Sequence, residues 1–258
     1  MAIGIYGTPM WNKLTDAEVK KLRHEAITWQ LAQFLHGEQG ALLATAQIVD
    51  VVPWHEAKQY GATQVMDEAR HVEVYRRFIG EKLEHEYPVN PQLKQLLDLI
   101  LSDSRWDMKF LGMQIMVEGL ALAAFGVLSL REFCLDMNEK EREEREDFVY
   151  EASVLMRDRI LNREVWETMG MDADACIKVL LRSPLACEFR RRLFSKIVPN
   201  VKSLGLLSDR QRRRFETLGV LEFENNTTSD VDSDVDADAD ADAEEERRMK
   251  SGEIEMPA

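Results

Sequence analysis

Three side chains in the first third of the sequence have the types and the spacing of metal ligands. Glu38 lies in one apolar run, and Glu68 and His71 lie in the next, three residues apart. Residues three apart share one face of an α-helix. Pro53 lies midway between Glu38 and Glu68, so a chain that folds back there places the two carboxylates level on antiparallel helices. A carboxylate that faces a Glu-x-x-His pair is half of the ligand set of a di-metal carboxylate helix bundle.

A short internal repeat adds a further carboxylate. Residues 38–46 read EQGALLATA and residues 118–126 read EGLALAAFG, with four identities in nine positions. The repeat predicts Glu118 as the next ligand. A full duplication would also place a second Glu-x-x-His at positions 148 and 151, but the residues there are Phe148 and Glu151. No histidine follows His85, so the second pair is missing from the sequence.

These motifs resemble those of the ferritin-like di-iron carboxylate superfamily, in its oxidase and oxygenase branch. The branch includes the ribonucleotide reductase small subunit and aminobenzoate N-oxygenase families. The resemblance covers roughly residues 15–135 and is carried by Glu38 in HGEQGA, Glu68 and His71 in DEARH, and Glu118 in MVEGLAL. It implies an all-α, ferritin-like bundle that binds iron or manganese, as one or two ions. It also implies an oxidoreductase that uses dioxygen and a small-molecule substrate.

The missing second motif predicts an incomplete fourth helix. The sequence after His71 reads VEVYRRF, and the sequence after Gly126 reads VLSLREF. This alignment is consistent with the loss of about 30 residues, the spacing between Glu38 and Glu68. Glu38, Glu68 and His71 could then hold one metal ion, with Glu118 bridging or capping it. Two alternatives stay open, namely metal binding without oxygen chemistry and a non-catalytic helical scaffold for self-association or partner binding.

Side chains near the predicted ligands allow two interpretations each. Asp67 and Arg70 are either partners that orient His71 or a surface ion pair at i and i+3. Tyr75 follows His71 by one helical turn, and we interpret it as a core tyrosine in preference to a redox-active phenol. His36 is two residues from Glu38, so it should face another direction and is not a predicted ligand.

Helical periodicity runs through almost the whole chain, and local signals divide it. Thr15 with Glu18 is a capping-box signature that begins the first helix, and Pro53 ends it. A third long helix is predicted to run without interruption from Trp106 to about Met137, and Pro199 is predicted to end a later helix. The predicted organisation is an N-terminal arm (1–14), a bundle core (15–137), a C-terminal helical extension (138–224) and a disordered acidic tail (225–258).

Charge and composition indicate which classes of partner and which cellular compartment to expect. The net charge of −14 arises mostly in residues 222–258, which hold 14 acidic and 3 basic residues, and no basic stripe indicates nucleic acid. Residues 111–130 are long enough to cross a bilayer, but Gln114 and Glu118 favour a buried bundle helix and no membrane. Three cysteines without C-x-x-C spacing and the absence of a signal-peptide pattern predict a cytoplasmic protein with reduced thiols. A homodimer is one of the open oligomeric states.

Overall fold

The computed structural model describes residues 3–83, 85–117, 130 and 133–226, and the regular elements in this part of the chain are all helical. The predicted all-α class is therefore confirmed. The ferritin-like bundle with an incomplete fourth helix is a finer statement that stays a prediction. Glu118 and the predicted disordered tail beyond residue 226 lie outside the described residues.

The first two helices form a long antiparallel hairpin. Helix α1 (Asp16–Val51) begins with the predicted capping box, in which Thr15 and Glu18 bond each other's backbone N–H groups. Pro53 lies in the short connection, and α2 (His55–Lys82) returns along α1. The hairpin positions the predicted ligands because it places the middle of α1 beside the middle of α2.

Some of the remaining helices pack on α1, and the others pack on one another. Asn90 caps helix α3 (Pro91–Ser102) with its side chain, and Pro91 occupies the first helical position. Helix α4 continues directly into a π-helical segment, in which the backbone bonds are i to i+5. The elements after α2 are α3 (Pro91–Ser102), α4 (Trp106–Phe110), the π-helical segment (Leu111–Val117), α5 (Glu139–Asp158), α6 (Arg163–Thr168), α7 (Ala173–Leu180), α8 (Pro184–Ser203) and α9 (Asp209–Leu218), with 3₁₀ turns at Trp11–Lys13 and Leu221–Asn225.

Two apolar clusters hold the helices together. The larger one joins α1, α3, the π-helical segment, α5, α8 and α9, so it crosses the predicted boundary between the bundle and the extension. The smaller one joins Ile3 and Ile5 of the N-terminal arm to α1, α6 and α7. Helix α2 contributes little to either cluster, because its only buried residues are Gly61, Glu68 and Ile79. It is an outer helix that packs mainly on α1.

A buried ion pair fixes α4 against α5. Arg145 donates two hydrogen bonds to Oδ2 of Asp107, at 3.0 and 2.8 Å, and both side chains are only 4% exposed. Two guanidinium nitrogens thus satisfy one carboxylate away from water. The pair holds the start of α4, and therefore the π-helical segment that follows, in a defined position.

Two helix predictions are wrong. A straight helix from Trp106 to Met137 would separate Trp106 and Phe133 by about 40 Å, but their ring centroids are 5.4 Å apart. Helix α8 does not end before Pro199 but continues to Ser203. Its last turns are held by burial, because Val198, Val201 and Leu204 are all inaccessible to solvent.

None of the described helices combines the length and the apolar character needed to span a bilayer.

Candidate metal centre

The hairpin brings three of the four predicted ligands together. Glu38 on α1 and Glu68 and His71 on α2 offer one ligand atom each, and these atoms all lie within 4.8 Å of one another. Nδ1 of His71 is 3.2 Å from Oε2 of Glu38 and 3.4 Å from Oε2 of Glu68. The convergence follows from two local features, the turn at Pro53 and the i, i+3 spacing of Glu68 and His71.

The two carboxyl groups are close enough to compete for one proton. Glu68 is 5% exposed, and the side chain of Glu38 is 22% exposed. Burial raises the pKa of Glu38 to about 7, and the hydrogen bond to Glu68 and the negative charge of Glu68 act in the same direction. His71 opposes this rise but does not cancel it. The hydrogen bond between the two carboxyl groups therefore favours the protonated form of Glu38.

His71 closes the cluster on its solvent side. Its side chain is 54% exposed. Burial is the largest single influence and lowers the pKa of His71, but the charges and hydrogen bonds of Glu38 and Glu68 together raise it above its ordinary value. Imidazole and carboxylate bind a cation only when deprotonated, so a metal ion at this cluster would displace protons from Glu38 and His71.

The flanking residues have structural roles. Asp67 and Arg70 form an exposed ion pair at 3.1 Å, and neither makes a hydrogen bond to His71, which favours the surface interpretation. The ring of Tyr75 packs edge-to-face on Phe34, with centroids 5.9 Å apart. Burial, followed by the charge of Glu38, raises the pKa of Tyr75. His36 faces away from the cluster and contacts the backbone oxygen of Tyr87 at 2.9 Å.

One amide side chain outside the predicted ligand set contacts Glu68, and a second amide contacts the first. Nε2 of Gln64 donates to Oε1 of Glu68 at 3.1 Å and to Oε1 of Gln114 at 3.3 Å. Gln64 precedes Glu68 by one helical turn, which was a usable sequence signal. Gln114 belongs to the π-helical segment, and its polarity within an apolar run was the only sign of its role.

The fourth predicted ligand, Glu118, lies outside the described residues. The residues just before it reach the cluster from a second direction, since Gln114 bonds Gln64 and Val117 lines a cleft together with Glu38. Glu118 as a ligand therefore stays a prediction from the internal repeat.

A cleft of about 630 Å³ adjoins Glu38. Its volume is within the range of small-molecule pockets, about 300–1,000 Å³. Helix α1 forms one wall, and the N-terminal arm and the C-terminal extension contribute to the others. The lining includes the rings of Trp29, Phe34, Trp166 and Phe189, the guanidinium of Arg159, and Gly37.

Comparison of the chain with protein-family models, with curated proteins and with solved structures gives no match. The family assignment therefore rests on the motifs alone and stays a prediction.

Proposed function

We propose that this protein binds one divalent iron or manganese ion through Glu38, Glu68 and His71, and that it is a ferritin-like oxidoreductase of the oxidase or oxygenase type. The observation that carries the proposal is the convergence of three ligand atoms within 4.8 Å on two helices. Mixed carboxylate and imidazole ligation suits both metals at low oxidation state.

The spacing of the ligand atoms fits a metal ion. Ligands about 2.1 Å from a metal lie about 3.0 Å apart at a right angle and about 4.2 Å apart when opposite. The separations of 3.2 and 3.4 Å from Nδ1 of His71 to the two carboxylates fall within this range.

The electrostatics of the cluster also favour a cation. Burial, and then the adjacent negative charge of Glu68, favour the protonated form of Glu38 over two carboxylate charges side by side. A divalent ion neutralises both charges at once, whereas a proton neutralises only one. Metal affinity should therefore increase as the pH rises through about 7, the pKa of Glu38.

Three protein ligands leave coordination positions open, which is the property of catalytic rather than structural sites. Iron or manganese in such a site would supply one-electron exchange with dioxygen. The chain's own contribution is to hold Glu68 in place, to keep Glu38 at the wall of the cleft, and to present an apolar, aromatic surface to a substrate. The lining favours a small organic molecule with an apolar body as the substrate class.

Metal titration tests the proposal. Chelator-treated protein is titrated with Mn²⁺, and with Fe²⁺ under anaerobic conditions, and the bound metal is measured after gel filtration. We expect one ion per chain, and we expect Glu68→Gln and His71→Ala to lower the affinity by at least about 100-fold. Glu73→Gln and His55→Ala are matched controls at exposed positions of α2. Wild-type protein without bound metal, or controls that lose as much affinity as the ligand variants, would exclude the metal site.

Oxygen consumption tests the oxidoreductase part. The iron-loaded protein with a chemical reductant should consume dioxygen faster than the Glu68→Gln variant under the same conditions. Equal rates in the two proteins, with metal bound to the wild type, would leave a metal-binding protein without oxygen chemistry.

The alternative of a non-catalytic scaffold has its own supporting observation. Helix α2 exposes Val74 by 64% and Phe78 by 47%, and it packs mainly on α1. An apolar outer face of this kind suits a partner or a second copy of the chain. Sedimentation of the wild type against Val74→Lys separates the two functions, because a scaffold that self-associates should dissociate in the variant, whereas metal binding at the centre should be retained.

A further inference from the structure

Two amide side chains form a hydrogen-bonded chain that starts at Glu68. Gln64 lies one helical turn before Glu68 on α2, and Gln114 lies on the π-helical segment that crosses this part of the hairpin. Gln64 donates both hydrogens of its amide group, one to Oε1 of Glu68 at 3.1 Å and one to Oε1 of Gln114 at 3.3 Å. The carboxylate of Glu68 favours this orientation of the Gln64 amide, since a flipped amide would place its oxygen against Oε1 of Glu68.

This arrangement divides the two oxygens of Glu68 between different tasks. Oε1 accepts from Gln64, and Oε2 faces His71 at 3.4 Å. Gln114 in turn limits the rotation of Gln64 by accepting its second hydrogen. The direction in which Glu68 presents Oε2 is thus set by a chain of hydrogen bonds that begins on a third helical element.

We propose that Gln64 and Gln114 are positioning residues for the metal centre, which hold Glu68 with Oε2 toward the ion. The inference rests on the proposed metal-binding function. Partners that orient a ligand in this way affect metal affinity by about 10–100-fold. Gln114 acts only through Gln64, because within the described residues its side chain has no other hydrogen bond.

The energetics of Gln114 support a functional rather than a stabilising role. The residue is 1% exposed, and its Nε2 has no hydrogen-bond partner in the part of the chain that the structure describes. Thr45, which lines the same small cavity, also has a buried oxygen without a partner there. A buried polar atom without a partner costs about 1–3 kcal/mol. A leucine at position 114 would avoid this cost, so stability alone does not explain the glutamine.

Variants of the full chain test the proposal with Mn²⁺ alone as the probe. The affinities of wild type, Gln64→Leu, Gln114→Leu and the double variant are measured by the electron paramagnetic resonance signal of free Mn²⁺. Gln59→Leu is the matched control, because Gln59 is an exposed glutamine on the same helix. We expect Gln64→Leu to weaken binding by about 10–100-fold and Gln59→Leu to leave it unchanged. We expect the double variant to bind as Gln64→Leu does, because Gln114 acts through Gln64.

The stability of Gln114→Leu distinguishes a positioning role from a merely structural one. If Gln114 were only structural, the variant should be less stable than the wild type. Gln114→Leu should be as stable to urea as the wild type in the presence of chelator, or more stable, and should still bind Mn²⁺ more weakly. If Gln64→Leu does not fold, the Mn²⁺ affinity of Gln114→Leu alone tests the proposal. Variants that bind Mn²⁺ as tightly as the wild type, or losses that add in the double variant, would overturn the positioning role while the metal site stands. A wild type that binds no metal overturns the proposed function and this inference together.

Discussion

Replacing Glu38 by glutamine separates the effect of its ionisation on stability from its effect as a metal ligand. Glutamine keeps the shape of the side chain and cannot ionise. In the metal-free protein, burial and the neighbouring Glu68 raise the pKa of Glu38 from 4.5 to about 7. A carboxyl group that holds its proton more tightly in the folded chain adds stability below its unfolded pKa. That stability is lost as the pH rises through the folded pKa. The raised pKa of His71 acts in the same direction.

The expected difference in unfolding free energy between Glu38→Gln and the wild type follows from the same pKa values. The difference between 4.5 and about 7, at about 1.4 kcal/mol per pKa unit, corresponds to about 3 kcal/mol. The side chain of Glu38 is 22% exposed, so solvent screening reduces the expected effect to about 2 kcal/mol. Glu38→Gln should therefore exceed the unfolding free energy of the wild type by about 2 kcal/mol at pH 8, and by only about 0.5 kcal/mol at pH 5, just above the unfolded pKa.

Bound metal should make the wild type more stable than Glu38→Gln at pH 8. At a concentration of 100 times Kd, a bound ion stabilises the wild type by about 2.7 kcal/mol, and the variant should gain little because it has lost a ligand. Urea unfolding of the wild type and Glu38→Gln at pH 5 and pH 8, first with chelator and then with Mn²⁺, measures these unfolding free energies. Glu73→Gln makes the same charge change at an exposed position of α2 and should keep the wild-type pH dependence. Parallel curves for the wild type and Glu38→Gln between pH 5 and pH 8 would refute the reasoning.

Three further predictions concern the cleft and the core. Gly37 lines the cleft, and an added Cβ there meets nothing within 4 Å. Gly37→Phe should therefore fill part of the cleft and weaken binding of a fluorescent naphthalene dye at least about tenfold. Gly80→Phe, with equally open space on α2, should leave dye binding unchanged. Asp107→Ala should lower the unfolding free energy in urea by about 3–5 kcal/mol, because it leaves the buried Arg145 without its carboxylate; a loss below about 1 kcal/mol would contradict the importance of the pair. Gly112→Ala should destabilise by about 1–3 kcal/mol in the same assay, since the added Cβ would lie 2.6 Å from a buried side chain, while Gly80→Ala should stabilise; equal effects would contradict the close packing.

The helical hairpin could be predicted because its signals are local. The capping box at Thr15 and the turn at Pro53 depend on residues within a few positions of one another, and the start and the end of α1 agree with the prediction. The same holds for Asn138, which caps α5 together with Glu141. Each of these signals fixes backbone hydrogen bonds without help from the rest of the fold.

Two predictions failed because they depended on tertiary context. The run after Trp106 contains no proline or turn cluster, so periodicity alone could not reveal that Phe133 returns to the ring of Trp106. Pro199 would end an exposed helix, but burial of the flanking turns in α8 outweighs its missing N–H group. Likewise, the bond from Gln64 to Gln114 joins residues 50 positions apart, and no spacing rule relates them.

Charge balance connects the missing Glu-x-x-His motif to the expected number of metal ions. A complete di-metal set holds four carboxylates against two divalent ions, which gives a neutral centre. Among the described residues, Glu38 and Glu68 supply two negative charges and His71 supplies none once it binds a metal. One divalent ion neutralises this set, whereas a second would leave two positive charges beside a buried carboxylate layer. The predicted ligand Glu118 would reduce that excess only to one. A site formed by Glu38, Glu68 and His71 is therefore expected to hold one ion, in agreement with the single ion per chain that we expect from titration.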